Sequence, residues 1–321
     1  MAKRPTVLVT RKLPAAVEAR LERDYDARLN PDDSELDTEA LLRAAQGADA
    51  IMPCHSEGFP AEVIARLPEG VKIIANFSVG TDHVDLAAAK KRGVVVTNTP
   101  EVLNDATAEV TMLLMLGAAR RASEGERLVR AGGWKTWSPA FMVGTQVTGK
   151  TVGIVGMGRV GKVVAERCRG FEMKVHYHDQ RRLPAEIEKG AVFHETLESL
   201  LAVADFVTMH CPNTPETRGL INKDTIAAMK DGVIFVNAAR GTIVVEDDLI
   251  AALKSRKIKA AGLDVFQNEP FIDERWADIE NVFLLPHVGS ATAETRDAMG
   301  FRALDNLDAY FAGREPGDRV A

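Results

Sequence analysis

Two kinds of residue in this 321-residue chain could do chemistry: glycines spaced to admit a phosphate, and polar side chains that each follow an apolar run. In Thr151-Val-Gly-Ile-Val-Gly-Met-Gly-Arg-Val-Gly161 a β-branched run meets Gly156-x-Gly158-x-x-Gly161, and a helix-forming stretch from Lys162 to Arg169 follows. The pattern predicts a dinucleotide-binding crossover. Gly156 makes the tight turn, Gly158 lets the backbone approach a pyrophosphate, and Gly161 lets the helix pack closely on the strand. Alone, the spacing also fits a plain strand-to-helix turn. A second strand, Lys174 to Asp179, follows, and Asp179 lies 18 residues beyond Gly161. A carboxylate that binds ribose hydroxyls is expected after about 20. Downstream, Val236-Asn-Ala-Ala-Arg240-Gly241, Gly262-Leu-Asp264-Val-Phe-Gln-Asn-Glu269-Pro270 and Leu285-Pro-His287-Val-Gly-Ser290 each end an apolar run in polar groups. Open α/β sheets build their sites at such strand ends. A permanently charged fork, a carboxylate and an imidazole suit anion binding and proton exchange. Taken singly, they also fit a surface turn, a loop cap and a satisfied buried imidazole.

Positioning these residues requires a regular scaffold, and the hydrophobic pattern supplies one. Before the glycine loop, strand candidates at Val7 to Thr10, Ala50 to Cys54, Lys72 to Asn76 and Val94 to Thr97 alternate with helical stretches at Ala15 to Asp24, Asp37 to Gln46, Pro60 to Leu67 and Val84 to Arg92. After it, strands at Lys174 to Asp179, Ala191 to Phe193, Asp205 to His210, Val233 to Asn237, Ala260 to Val265 and Val282 to Leu285 continue the rhythm, with helices at Leu197 to Ala204, Lys223 to Met229 and Glu246 to Arg256. Alternating β and α means parallel, helix-covered sheets. The expected fold is therefore α/β with two doubly wound parallel-sheet domains. One long apolar helix, Ala106 to Leu128, is expected between the halves, buried on nearly all sides by interdomain packing and a subunit interface together, since one domain face rarely covers a whole helix. Pro139 to Gly149 reads as a linker.

Composition narrows the class. At 46% hydrophobic residues the chain can build two cores, and a formal charge of −6 spread along it suggests neither a nucleic-acid nor a membrane surface. The opening Met-Ala-Lys-Arg-Pro runs straight into a strand, so a cytoplasmic location is expected. Cys54, Cys168 and Cys211 are far apart and lack metal-ligand spacing; buried reduced thiols and no metal are expected.

Taken together, these segments resemble the D-isomer-specific 2-hydroxyacid dehydrogenases over essentially the whole chain. The likeness also rests on Phe77-Ser-Val-Gly80-Thr-Asp-His-Val-Asp85, Asn98-Thr-Pro and Ala106-Thr107-Ala-Glu109. Gly132-Gly-Trp134-Lys-Thr-Trp137-Ser-Pro and His287-Val-Gly-Ser-Ala-Thr292 look most like the glyoxylate/hydroxypyruvate reductase branch. The resemblance implies a flavodoxin-like substrate domain, residues 1–100 plus 289–321, with an NAD-binding Rossmann domain, residues 101–288, inserted into it. It implies reduction of glyoxylate or hydroxypyruvate to glycolate or D-glycerate by hydride from NADH, NADPH being possible. Arg240 would anchor the substrate carboxylate, His287 would act as acid or base, and Glu269 would fix its tautomer and stabilise the imidazolium. Ser78, Val79, Gly80 and Ser290 would also bind substrate, and Trp137 would reach a neighbouring subunit's pocket in a homodimer. Cofactor contacts would come from Thr107, Arg159, Val160, His210, Cys211, Pro212, Thr217, Ala238, Ala239, Asp264 and Gly289, beside the three loop glycines and Asp179. Asp179 favours NAD by repelling a 2′-phosphate, although Arg181 and Arg182 follow it.

Other readings stay open at this level. Phosphoglycerate oxidation is the nearest rival, and a formate or phosphite oxidant is a further one. From a different class comes an NAD-sensing binding protein like the C-terminal-binding corepressors. His55 and Ser56 fit either a pocket or a turn.

Overall fold

The computed structural model describes residues 4–321, which divide into two compact units, residues 4–103 with 290–321 and residues 104–289. In the first unit β1 (Thr6–Val9), α1 (Ala15–Asp24), β2 (Asp26–Arg28), α2 (Thr38–Ala44), β3 (Ala50–Met52), α3 (Ala61–Arg66), β4 (Ile73–Ala75), α4 (Leu86–Arg92) and β5 (Val95–Thr97) follow in turn. The strands pair in parallel in the order β2-β1-β3-β4-β5. This is the flavodoxin-like doubly wound order, whose direction of winding reverses between β1 and β3. Strands β1, β3 and β4 are buried throughout, as strands covered on both faces must be.

The second unit holds α5 (Asn104–Ala119), α6 (Ala122–Arg130), β6 (Thr151–Val155), α7 (Arg159–Gly170), β7 (Lys174–His178), α8 (Ala185–Glu188), β8 (Val192–His194), α9 (Leu197–Leu201), β9 (Phe206–Met209), α10 (Lys223–Ala228), β10 (Val233–Asn237), α11 (Glu246–Lys254), β11 (Ile258–Leu263) and β12 (Val282–Leu284). Its seven strands are parallel in the order β12-β11-β10-β9-β6-β7-β8, a Rossmann arrangement with one added strand, reversing between β6 and β9. The chain then returns to the first unit as α12 (Ala293–Phe311), whose Met299, Ala303, Leu304 and Leu307 join Val7, Val17 and Ile73 in one core cluster.

Three expectations need correction. The single helix from Ala106 to Leu128 is two: α5 stops at Ala119, Arg121 takes a left-handed φ of 55°, and α6 starts afresh. The break is set from outside, because the N–H of Thr145 donates to the Ala119 carbonyl at 2.7 Å and ends the ladder there. The strand β2 was not expected, since Asp26-Ala-Arg28 is a charged edge strand without an apolar signature. Of the three free cysteines only Cys168 is buried; Cys54 and Cys211 are half-buried.

Candidate active site

The glycine loop does what its spacing requires. Gly156 sits at φ 94°, and a Cβ there would lie 2.6 Å from the backbone nitrogen of Cys211. A Cβ on Gly161 would lie 2.2 Å from the Gly156 carbonyl oxygen. Both positions therefore exclude side chains by contact with backbone, which cannot yield. Gly158 is different: a Cβ would meet nothing within 4 Å, so open space lies before the residue that caps α7. A tight turn, a close helix-strand contact and an open approach to a helix N-terminus form a cradle that fits a pyrophosphate. Arg159 and Val160 begin α7. Asp179 follows β7, its Oδ2 accepting the Met157 N–H at 2.7 Å and its Oδ1 the Gln180 N–H at 2.7 Å. Across the winding reversal, the segment after β9 brings His210 and Cys211 against Gly156. Desolvation holds His210 neutral, its pKa pushed down to about 3, and burial raises the Cys211 thiol to about 11. Thr217 Oγ1 donates to the Pro212 carbonyl at 2.6 Å and closes the adjoining turn.

Arg240, Glu269 and His287 follow β10, β11 and β12, three neighbouring strands. Asn237 ends β10 and shapes the Arg240 turn, its Nδ2 donating to the Arg240 carbonyl at 2.9 Å while its Oδ1 accepts the Ala239 N–H at 3.0 Å. A Cβ on Gly241 would lie 2.0 Å from the carbonyl carbon of Phe266, so glycine there lets the Arg240 turn abut the segment that carries Glu269. Glu269 uses both oxygens: Oε1 accepts the Phe266 N–H at 2.7 Å, and Oε2 pairs with His287 Nδ1 at 2.6 Å. Both side chains retain about a quarter of their exposure, so the imidazole is oriented yet accessible.

His287 adopts φ 53°, a conformation uncommon for a non-glycine residue, and Asp264 holds it there. The Asp264 carbonyl accepts the His287 N–H at 2.8 Å; its carboxylate accepts the N–H of Val288 and of Gly289, each at 2.8 Å. Thr107, on α5, lies against the same Gly289. Burial raises the pKa of Asp264, opposed by those two donors.

In the first unit, the loop after β4 has its carbonyls tied down. Asn98 Nδ2 donates to the Val79 carbonyl at 2.9 Å, Asn76 Nδ2 to the Gly80 carbonyl at 2.9 Å, and the Thr99 N–H to the Ser78 carbonyl at 3.1 Å. Among the described residues the N–H groups of Ser78, Val79 and Gly80 find no backbone acceptor. Successive amides left in that state form an anion-binding concavity. Ser290 opens the turn before α12, its carbonyl accepting the Thr292 N–H at 3.0 Å.

Residues 112–289 match the sequence family described as D-isomer specific 2-hydroxyacid dehydrogenase, NAD binding domain. Over 311 residues the chain is 42% identical to a glycerate dehydrogenase of Hyphomicrobium methylovorum, covering 96% of this chain and 97% of that one. The chain belongs to the D-isomer-specific 2-hydroxyacid dehydrogenase family. It is 41% identical over 318 residues to a glyoxylate reductase of Thermococcus kodakarensis, covering 98% and 95% of the two chains. A solved glyoxylate reductase structure from Paecilomyes thermophila superposes with a TM-score of 0.89 at 34% identity, covering 100% of this chain and 99% of that one. These likenesses place the dehydrogenase in the glyoxylate reductase branch and make it an NAD(P)-dependent oxidoreductase. No helix among the described residues is long and apolar enough to cross a membrane.

Several positioning residues of this dehydrogenase escaped the sequence reading. Asn76 and Asn98 orient the amide loop, and Asn237 and Gly241 shape the Arg240 turn; Asp264, expected as a cofactor contact, also fastens the histidine loop. The Asn237 signal was present, as a polar residue ending an apolar strand; the others show only in the fold. Trp137, by contrast, is 74% exposed and packs into neither core.

Proposed function

We propose that this dehydrogenase reduces glyoxylate and hydroxypyruvate to glycolate and D-glycerate with NADH. The observation that carries the reading is the 2.6 Å pair between Glu269 Oε2 and His287 Nδ1. With Nδ1 committed to a carboxylate, His287 keeps the tautomer that exchanges its proton at Nε2, as the acid for reduction and the base for oxidation. Glu269 stabilises the imidazolium that precedes proton release. Arg240 presents a cationic fork that suits the substrate carboxylate and polarises its neighbouring carbonyl. The acceptor-free amides of Ser78, Val79 and Gly80 suit an oxyanion. The dinucleotide supplies the hydride; the glycine cradle, Arg159, Val160, Asp179, Thr217 and the His210–Pro212 turn would hold it, and Thr107, Ala238, Ala239, Asp264 and Gly289 would border its reacting end. The names of the relatives support this substrate class.

NADH is the favoured donor because the Asp179 carboxylate is fastened by two N–H groups and cannot readily swing away from a 2′-phosphate. Arg182, the nearby cation, is engaged by Glu188 at 3.0 and 3.2 Å. A homodimer is supported by the exposed Leu113, Val129, Trp134, Trp137, Phe141 and Val143, which crowd one stretch of sequence and need a cover.

The deciding experiment follows NADH and NADPH oxidation with glyoxylate, hydroxypyruvate, pyruvate and phosphohydroxypyruvate, using wild type and His287→Ala. Fast turnover of the first two, reduced by about 10²–10⁴-fold in the variant, is expected. Tight NADH binding without turnover of any keto acid would replace the enzyme reading with that of an NAD-sensing binding protein.

A further inference from the structure

Arg296 is a half-buried cation that the first unit leaves without a counter-charge. Among the described residues no hydrogen bond or ion pair reaches its guanidinium, and desolvation opposes its charge. The one ionisable group that bears on it is Cys54, just beyond β3, and burial raises that thiol to about 12, so it stays neutral and offers no balancing charge. Glu57, a buried acid on the same loop as Cys54, is occupied by Thr10 Oγ1, the Cys54 N–H and Ser56 Oγ. Glu294 and Asp297, two positions and one position away along the helix, point off in other directions. Arg296 also closes the first turn of the 19-residue α12, where the helix dipole favours anions over cations. Each of these placements costs stability, and no hydrogen bond or ion pair among the described residues compensates.

The position of this cation is informative. Met299, one turn along α12, packs in the same cluster as Phe77 and Cys54. The Phe77 N–H donates to the Pro53 carbonyl at 2.8 Å, tying the loop that carries Cys54 to the loop that carries Ser78, Val79 and Gly80. Arg296 therefore stands at the same end of the sheet as the acceptor-free amides. An oxygen-bearing group beside those amides would give its guanidinium the partner that the protein withholds.

The structure assigns Arg296 as a specificity-determining residue that binds an oxygen substituent on carbon 3 of a three-carbon 2-keto acid. The assignment rests on the keto-acid reading above. Glyoxylate has no carbon 3 and pyruvate has only a methyl there, whereas hydroxypyruvate carries a hydroxyl and phosphohydroxypyruvate a phosphoester. The test compares kcat/KM on these four substrates for wild type, Arg296→Met and Arg296→Lys, with NADH affinity read by fluorescence titration. The methionine variant is expected to lose at least tenfold more on the better of the two oxygen-bearing substrates than on glyoxylate, chiefly through KM. Lysine is expected to recover part of that loss, and NADH affinity to stay within twofold. Whichever of hydroxyl and phosphoester suffers more identifies the group recognised. Equal losses on all four substrates, or no loss, would overturn the assignment; if the methionine variant does not fold, Arg296→Gln is scored by the same ratio. Wild-type inactivity on every keto acid would instead sink the reading beneath it, so the two failures are distinguishable.

Discussion

The carbonyl oxygen of Asp264 accepts the backbone N–H of His287 at 2.8 Å, while the same residue's carboxylate, 1% exposed as a residue, takes the next two N–H groups of the chain. One side chain thus fixes the loop on which the imidazole rides. Asp264→Asn replaces one acceptor with a donor that faces an N–H. The loss of a charge-assisted bond is expected to cost about 2 kcal/mol of stability. Catalysis should fall further than folding, with kcat down by about 10–100-fold, because small misplacements of reacting groups are costly. Thermal melts and steady-state kinetics check both; an unchanged kcat in a folded variant would contradict the clamp.

Gly241→Ala is expected to be severe. The added methyl would sit 2.0 Å from backbone atoms of Phe266, and backbone cannot rotate away as a side chain can. Overpacking of this kind costs about 1–3 kcal/mol, and relief would come by parting the Arg240 and Glu269 segments. Denaturant titration should show the lost stability. Turnover should fall together with it while NADH affinity is kept. Wild-type stability and turnover would remove the contact from the account.

Cofactor choice hinges on Asp179. Asp179→Ser removes the charge that opposes a 2′-phosphate and is expected to raise the NADPH-to-NADH ratio of kcat/KM by at least tenfold. The gain should be limited, because the variant also gives up two N–H partners at 2.7 Å. An unchanged ratio would mean that discrimination lies elsewhere.

Stability should decline on mild acidification. His210, His176 and His194 all have pKa values lowered from the ordinary 6.5, His210 to about 3, with desolvation the largest cause in each. The folded chain therefore keeps these rings neutral while the unfolded chain protonates them. The resulting stability is present above about pH 6.5 and is lost as pH falls below it. His210 alone would account for about 2 kcal/mol by pH 5. Melting wild type and His210→Gln at pH 7 and pH 5 checks this: the variant should lose less on acidification, and equal losses would exclude His210.

What the sequence made legible follows from how local each cause is. The cradle could be read because backbone clashes at Gly156 and Gly161 admit no side chain. The parallel sheets could be read because strands covered on both faces are continuous apolar runs. The division between α5 and α6 could not, because the N–H that ends α5 belongs to Thr145, far along the chain. The roles of Asn76 and Asn98 were hidden for a related reason: each acts on a loop carbonyl, and a polar residue beside a strand looks the same whichever way its amide points. The isolation of Arg296 is a property of what surrounds it, which only packing reveals.

The return of α12 to the first unit governs the order of biosynthesis. Met299, Ala303, Leu304 and Leu307 fill the core in which Val7, Val17 and Ile73 are buried, yet they are translated after the whole of the second unit. Domains fold as units while the ribosome works at about 5–20 residues per second, so the inserted unit can reach its native state on the ribosome while the earlier strands still await their last helix. The half that is made first is the half that must be shielded longest, and its exposed strand faces are where a nascent-chain chaperone would have its use.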